Sequence, residues 1–150
     1  TPAGPDHAQV AASAGMADYI DALCDHHGGP TEDAAARAGF VHDLMRDHEV
    51  KLLQPLLDEL KDRNDLRLIG PSDAAVRAPT VAVAVNRSGA GLAEELAGHG
   101  IMAGGGDFYA VRALSAMGVD PEQGVLRRSF THYTNENEVT QLIEALERVL

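Results

Sequence analysis

The sequence predicts an α+β fold, a small sheet of three or four strands covered by helices and preceded by two N-terminal helices. Three observations carry this. Apolar residues in the first sixty positions recur at spacings of three and four, the period of an amphipathic helix. Beyond them, short β-branched runs alternate with helical stretches, each bounded by Gly or Pro. The 150 residues are 45% hydrophobic, enough for a packed core; with 4% aromatics and no Trp, that core is built mainly from Leu, Val, Ile and Ala.

Asp6 is a good N-cap, and Gln9 three residues later matches a capping box. The first helix turns Val10, Met16, Ile20 and Leu23 inward, ends at Gly28-Gly29 and is stopped by Pro30. Thr31 is a second N-cap, with Glu32 and Asp33 at the positive end of the next helix dipole. The stripe Val41, Leu44, Met45, Leu52, Leu53, Leu56, Leu57 and Leu60 extends that helix to about Leu60. Pro55 predicts a kink near Lys51, because its ring removes a donor and clashes with the carbonyl one turn earlier.

Leu66–Ile69 is a short strand closed by Gly70-Pro71, and Thr80–Val85 is the clearest strand. Val81, Val83 and Val85 lie on one of its faces, Ala82 and Ala84 on the other. A helix over Gly91–His99 points Leu92 and Leu96 inward and ends at Gly100. Ile101–Ala103 reads as a third strand closed by Gly104-Gly105-Gly106. Asp107–Met117 contains a short helix, and Val125–Tyr133 is a strand. A last helix begins at the N-cap Thr134, with Val139, Leu142, Ile143, Leu146 and Val149 on one face.

Composition excludes several classes of function. The net charge of −11 and pI of about 4.9 repel phosphate backbones and argue against nucleic-acid binding. No apolar run approaches the roughly 20 residues of a membrane span. The first residues lack a basic stretch followed by an apolar one, so they do not read as a signal peptide; without an initiating Met, the expectation is a processed or excised chain. A single cysteine, Cys24, rules out an intramolecular disulfide and a Cys-based zinc finger, and a reducing cytoplasm is the simplest location.

Candidate chemistry is sparse. His42 and His48 are six positions apart on a helix and face different ways, and no His-Glu-x-x-His motif occurs, so the seven histidines read as surface or capping residues rather than metal ligands. Cys24 falls on the inward side of its helix and reads as a structural thiol. The three glycines lack the spacing of a phosphate-binding loop, and a turn or a close backbone approach explains them. The two lysines, Lys51 and Lys61, sit beside other charges on a solvated helix, unlike a desolvated imine-forming lysine. Arg127 and Arg128 are neighbours in a strand and so point to opposite faces. Either could bind a carboxylate with its guanidinium fork, and a surface ion pair is the equal alternative.

The segment Gly124-Val-Leu-Arg-Arg-Ser-Phe-Thr-His-Tyr-Thr-Asn-Glu-Asn-Glu-Val139, running into Leu142-Ile-Glu-Ala-Leu146, resembles the C-terminal end of class V aminotransferases, the fold-type-I pyridoxal phosphate (PLP) enzymes that include cysteine desulfurases. Gly104-Gly-Gly-Asp-Phe-Tyr-Ala-Val-Arg112 followed by Ala116-Met-Gly118 is similar to the desulfurase-like branch. The long helix with Glu49 and Leu53, the strand after it and the TVAVAV run fit that family's small domain. Gly4-Pro5-Asp6-His7 and Met16–Leu23 resemble the helix after its cofactor region.

The resemblance implies three parts: residues 1–29 as the end of the PLP-binding large domain, 30–65 as a connecting helix, and 66–150 as a small α+β domain. It implies that Arg127 faces the cleft and clamps the carboxylate of a small amino-acid substrate, with Asp107 and Tyr109 at the border, and that Arg128 departs from the small or apolar residue usual there. The family's catalytic Cys has no counterpart in Gly104–Tyr109, and Cys24 lies in the wrong segment to replace it. The family's imine-forming Lys, pyridine-pairing Asp and ring-stacking His have no counterpart either. The implied reading is therefore the C-terminal portion of a PLP enzyme, inactive alone and without PLP of its own. Its partners would be a missing large domain or second subunit, in a homo-oligomer. The alternative is a non-catalytic binding or interaction module that keeps the small-domain fold.

Overall fold

The computed structural model describes residue 4, residues 6–31 and residues 33–150; the expectations for residues 1–3, Pro5 and Glu32 lie outside these. The chain divides into two compact units, one running to Asp47 and the other beginning at His48.

The first unit is helical. Asp6 does cap a helix, its carboxylate accepting the N–H groups of Ala8 (2.9 Å) and Gln9 (3.3 Å). That helix is short, however. α1 (His7–Ala12) breaks at Ser13, whose hydroxyl donates to the Val10 carbonyl at 2.6 Å, and α2 (Ala14–His26) follows. A serine side chain that bonds back onto the preceding turn competes with the backbone ladder, which explains the interruption. The inward face predicted for this stretch is only half realised. Cys24 is fully buried and Leu23 and Ile20 are half-buried, whereas Val10 (60%) and Met16 (73%) are exposed. Gly28, at a positive φ of 66°, ends the helix. α3 (Ala34–Lys61) is capped by Asp33, which accepts the Ala36 N–H at 2.8 Å, and not by Thr31 as predicted. Arg37 ties α2 to α3. It donates to Asp21 (2.6 Å), to Asp25 (2.8 Å) and to the Pro30 carbonyl (3.1 Å), and the two carboxylates hold its guanidinium firmly protonated.

The second unit is the α+β body. α3 continues through Pro55 and buries Leu52, Leu53, Leu56, Leu57 and Leu60. β1 (Leu66–Ile69), β2 (Thr80–Val85), β3 (Gly104–Gly106) and β4 (Val125–Ser129) form one antiparallel sheet in the order β1-β2-β4-β3. Val81 and Val83 are completely buried on the face covered by α3, α4 (Gly89–Gly98) and α6 (Glu136–Val149), together with Leu92, Leu96, Leu126 and Leu146. The opposite face carries a second, smaller cluster: Leu114 of α5 (Val111–Ala116), Val119 and Val125, with Ala82, Ala84 and Phe108 against them.

Two assignments differ from expectation. Ile101–Ala103 is not a strand; the third strand is the glycine triplet itself. β-propensity favours Ile101 and Met102, but only glycine permits the backbone approach required at this edge, because a Cβ on Gly105 would lie 2.1 Å from the Gly89 carbonyl oxygen of α4. The last helix is capped by Asn135, not Thr134. Asn135 and Glu138 form a reciprocal capping box, with Glu138 N–H donating to Asn135 (3.0 Å) and Asn135 N–H to Glu138 (2.8 Å). Thr134 instead accepts the Thr131 N–H at 3.1 Å. Asn135→Ala removes one arm of this box, and a urea melt is expected to show a loss of about 1 kcal/mol.

Candidate functional site

The sheet face away from α4 and α6 holds the residues of interest. β4 alternates, so Leu126 and Arg128 point toward the helices while Val125 and Arg127 point the other way. Arg127 is exposed, and its guanidinium carbon lies 3.8 Å from the centre of the Phe108 ring, a stacked cation–π contact. The guanidinium makes no hydrogen bond or ion pair with any described residue. One flat side rests on an aromatic ring and the N–H edges are left free to bind an acceptor.

The turn after β3 brings Phe108 to that position. Phe108 and Tyr109 both adopt left-handed backbone conformations, with φ of 51° and 59°. The turn is closed by the Ala110 N–H on the Asp107 carbonyl (2.8 Å) and by the Tyr109 N–H on the Asp107 carboxylate (3.1 Å). Gly104, paired with Arg127 across the sheet, leaves space for the ring; a Cβ there would meet Phe108 at 2.9 Å. The three sequence-predicted site residues are thus brought to one region. Asp107 shapes the turn, Tyr109 is fully exposed at its tip, and Arg127 lies beneath Phe108. Sequence reasoning missed Phe108 itself; its signal was an aromatic two residues after the glycine strand that pairs with β4 and its Arg127.

Neither arginine forms the surface ion pair that stood as the alternative with any described residue. Arg128 is 3% exposed, and its three guanidinium nitrogens have no hydrogen-bond partner among the described residues.

The remaining candidates take structural positions. Cys24 donates weakly to the Pro30 carbonyl (3.5 Å). His48 contacts the Thr134 carbonyl at 2.8 Å, and no three His, Cys, Asp or Glu side chains gather as a metal site among the described residues. Lys51 pairs with Glu136 and Lys61 with Asp58, each at 2.8 Å; these carboxylates raise both ammonium groups above the ordinary lysine range. Neither is the desolvated amine that an imine-forming lysine requires: each is an exposed ammonium held by a carboxylate.

The model of the family described as "Aminotransferase class-V" matches residues 37–142. The chain belongs to the class-V aminotransferases. Within the family, the Aminotransferase-like protein FGM3 of Gibberella zeae is 33% identical over 114 residues, covering 72% of this chain and 28% of that protein. The fold also matches solved cysteine desulfurases. CsdA from Escherichia coli aligns with a TM-score of 0.57 at 22% identity, over 80% of this chain and 31% of that one. The apo enzyme from Thermococcus onnurineus NA1 gives 0.62 at 23% identity, over 77% and 29%. This chain therefore spans under a third of the length of these relatives, and the desulfurase matches concern the fold alone. No helix among the described residues is long and apolar enough to cross a membrane.

Proposed function

We propose that this chain is the C-terminal, substrate-side portion of a cysteine desulfurase-like PLP-dependent enzyme acting on a small amino acid. The observation that carries the reading is Arg127, exposed on an open sheet face, stacked on Phe108 and without an acidic partner among the described residues. A guanidinium flattened against a ring presents its N–H edge to a planar carboxylate and loses little conformational freedom on binding. In this reading Arg127 binds and orients the substrate carboxylate, and Asp107 and Tyr109 border the cleft. PLP, when bound in the complete enzyme, supplies the electron sink. Its lysine is contributed by a large domain or second subunit outside this chain, within a cytoplasmic homo-oligomer. Exposed Val10, Met16 and Tyr19 on α1 and α2 support such a partner, since apolar side chains left in water mark a docking surface.

The test adds PLP to the purified chain and records visible circular dichroism. No saturable induced band is expected, because free PLP is achiral and adducts on Lys51 or Lys61 are unordered. A saturable band would show a complete cofactor site and overturn the claim that the chain is inactive alone. In parallel, the chain is expected to bind anilinonaphthalene sulfonate through its apolar helices. A monomer by sedimentation that ignores the dye would favour a stand-alone binding module instead.

A further inference from the structure

The Phe108 ring is fixed in place by its own turn, by the core and by the clearance on β3. Phe108 and Tyr109 hold left-handed φ values of 51° and 59°, a conformation that costs an ordinary side chain and that only surrounding structure maintains. The ring packs against the cluster of Leu114, Val119 and Val125. Gly104 leaves it room, since an added Cβ would lie 2.9 Å from the far end of the ring. Asp107 opens the same turn, yet its carboxylate accepts the Tyr109 N–H at 3.1 Å and forms no ion pair with Arg127. The turn therefore gives Arg127 an aromatic face and ties down the acid that stands beside that face in the sequence.

We propose that Phe108 is a positioning residue. It acts through Arg127, holding the guanidinium in the 3.8 Å stack so that its N–H edge meets a substrate carboxylate in one orientation. This rests on the reading of Arg127 as the carboxylate clamp. An unrestrained arginine samples many rotamers, and ordering it at the moment of binding costs affinity. Stacking removes that freedom within the fold, before a substrate arrives. The ring offers no hydrogen-bond donor and no charge of its own, so its contribution is made only through Arg127. A contact made equally in the bound substrate and in the transition state lowers KM and leaves kcat alone.

In the enzyme that contains this chain, Phe108→Leu is expected to raise the KM for the amino-acid substrate roughly 5- to 10-fold, with kcat changed less than about twofold. Phe108→Tyr keeps the ring face and should restore the wild-type KM. In an Arg127→Ala background Phe108→Leu should leave KM where it is, because no guanidinium remains to position. The purified chain gives a reading independent of activity. The Arg127 Cδ protons are expected upfield under the ring current of Phe108, to lose that shift in Phe108→Leu and to keep it in Phe108→Tyr. A KM that rises in Arg127→Ala but not in Phe108→Leu leaves the clamp standing and overturns the positioning role alone. An unchanged KM in Arg127→Ala removes the clamp, and this role with it. An equal rise from Phe108→Leu in both backgrounds, or no upfield shift in the wild type, also overturns it. Should Phe108→Leu fail to fold, Gly104→Ala decides, since its methyl displaces the ring end and leaves both partners in the chain. That variant is expected to raise KM and weaken the upfield shift, and no change in either would sink the proposal.

Discussion

Arg127→Ala is expected to raise the KM for the amino-acid substrate by roughly 30- to 900-fold in the enzyme that contains this chain. The lost contact is a charge-assisted, bidentate hydrogen bond, equivalent to about 2–4 kcal/mol. Arg127→Lys should recover only part of it, because an ammonium keeps the charge but neither stacks flat on Phe108 nor offers a fork. Arg128→Ala should leave KM within a few-fold, since Arg128 points to the opposite face of β4. Steady-state kinetics on the three variants decide the matter. An unchanged KM in Arg127→Ala would remove the clamp, and equal effects of both alanine variants would mean that the cleft does not lie on the face carrying Phe108.

The second large effect concerns the glycine strand. Gly105→Ala is expected to cost more than about 3 kcal/mol, because the new methyl would fall 2.1–2.3 Å from three backbone atoms of Gly89 and Ala90, and backbone cannot turn aside as a side chain can. α4 must then lift off β3, and the fully buried Leu92 and Leu96 lift with it. Gly98→Ala is the matched control. Gly98 lies in the same helix, and a methyl added there would meet nothing within 4 Å, so the change should be neutral or slightly stabilising. Urea unfolding of both variants provides the comparison, and a Gly105→Ala midpoint equal to the wild type would mean that the helix does not approach this edge as described.

Much of this fold was legible from periodicity. The TVAVAV run placed Val81 and Val83 in the core and Ala82 and Ala84 on the other face, and the leucine spacing of α3 and α6 selected their buried sides. Those patterns are read directly because one element buries one face. The misses arose where one specific contact overrode propensity or spacing. Gly104–Gly106 forms a strand because α4 and Phe108 press on it, which no local propensity encodes. Asn135 displaces Thr134 as the cap because Glu138 returns its hydrogen bond. Val10 and Met16 are exposed although their spacing turned them inward, because a hydrophobic stripe reports a preference for cover, not what provides it.

The candidate site divides in the same way. Strand alternation required the two arginines to part, and family resemblance assigned Arg127 to the cleft. The stacking of Arg127 on Phe108 needed coordinates, because it depends on two consecutive residues in a backbone region that neither phenylalanine nor tyrosine favours.

That pair of residues has a consequence for how the chain can change. A left-handed conformation costs an ordinary side chain about 1–2 kcal/mol, a cost that glycine or asparagine at Tyr109 would largely relieve. Tyr109 is completely exposed, so its side chain returns nothing to the core in exchange. A chain optimised for durability alone would discard it. Stabilising substitutions sought by random screening should therefore accumulate at this turn tip first, and in the complete enzyme they would be the ones to examine for a trade of activity against robustness.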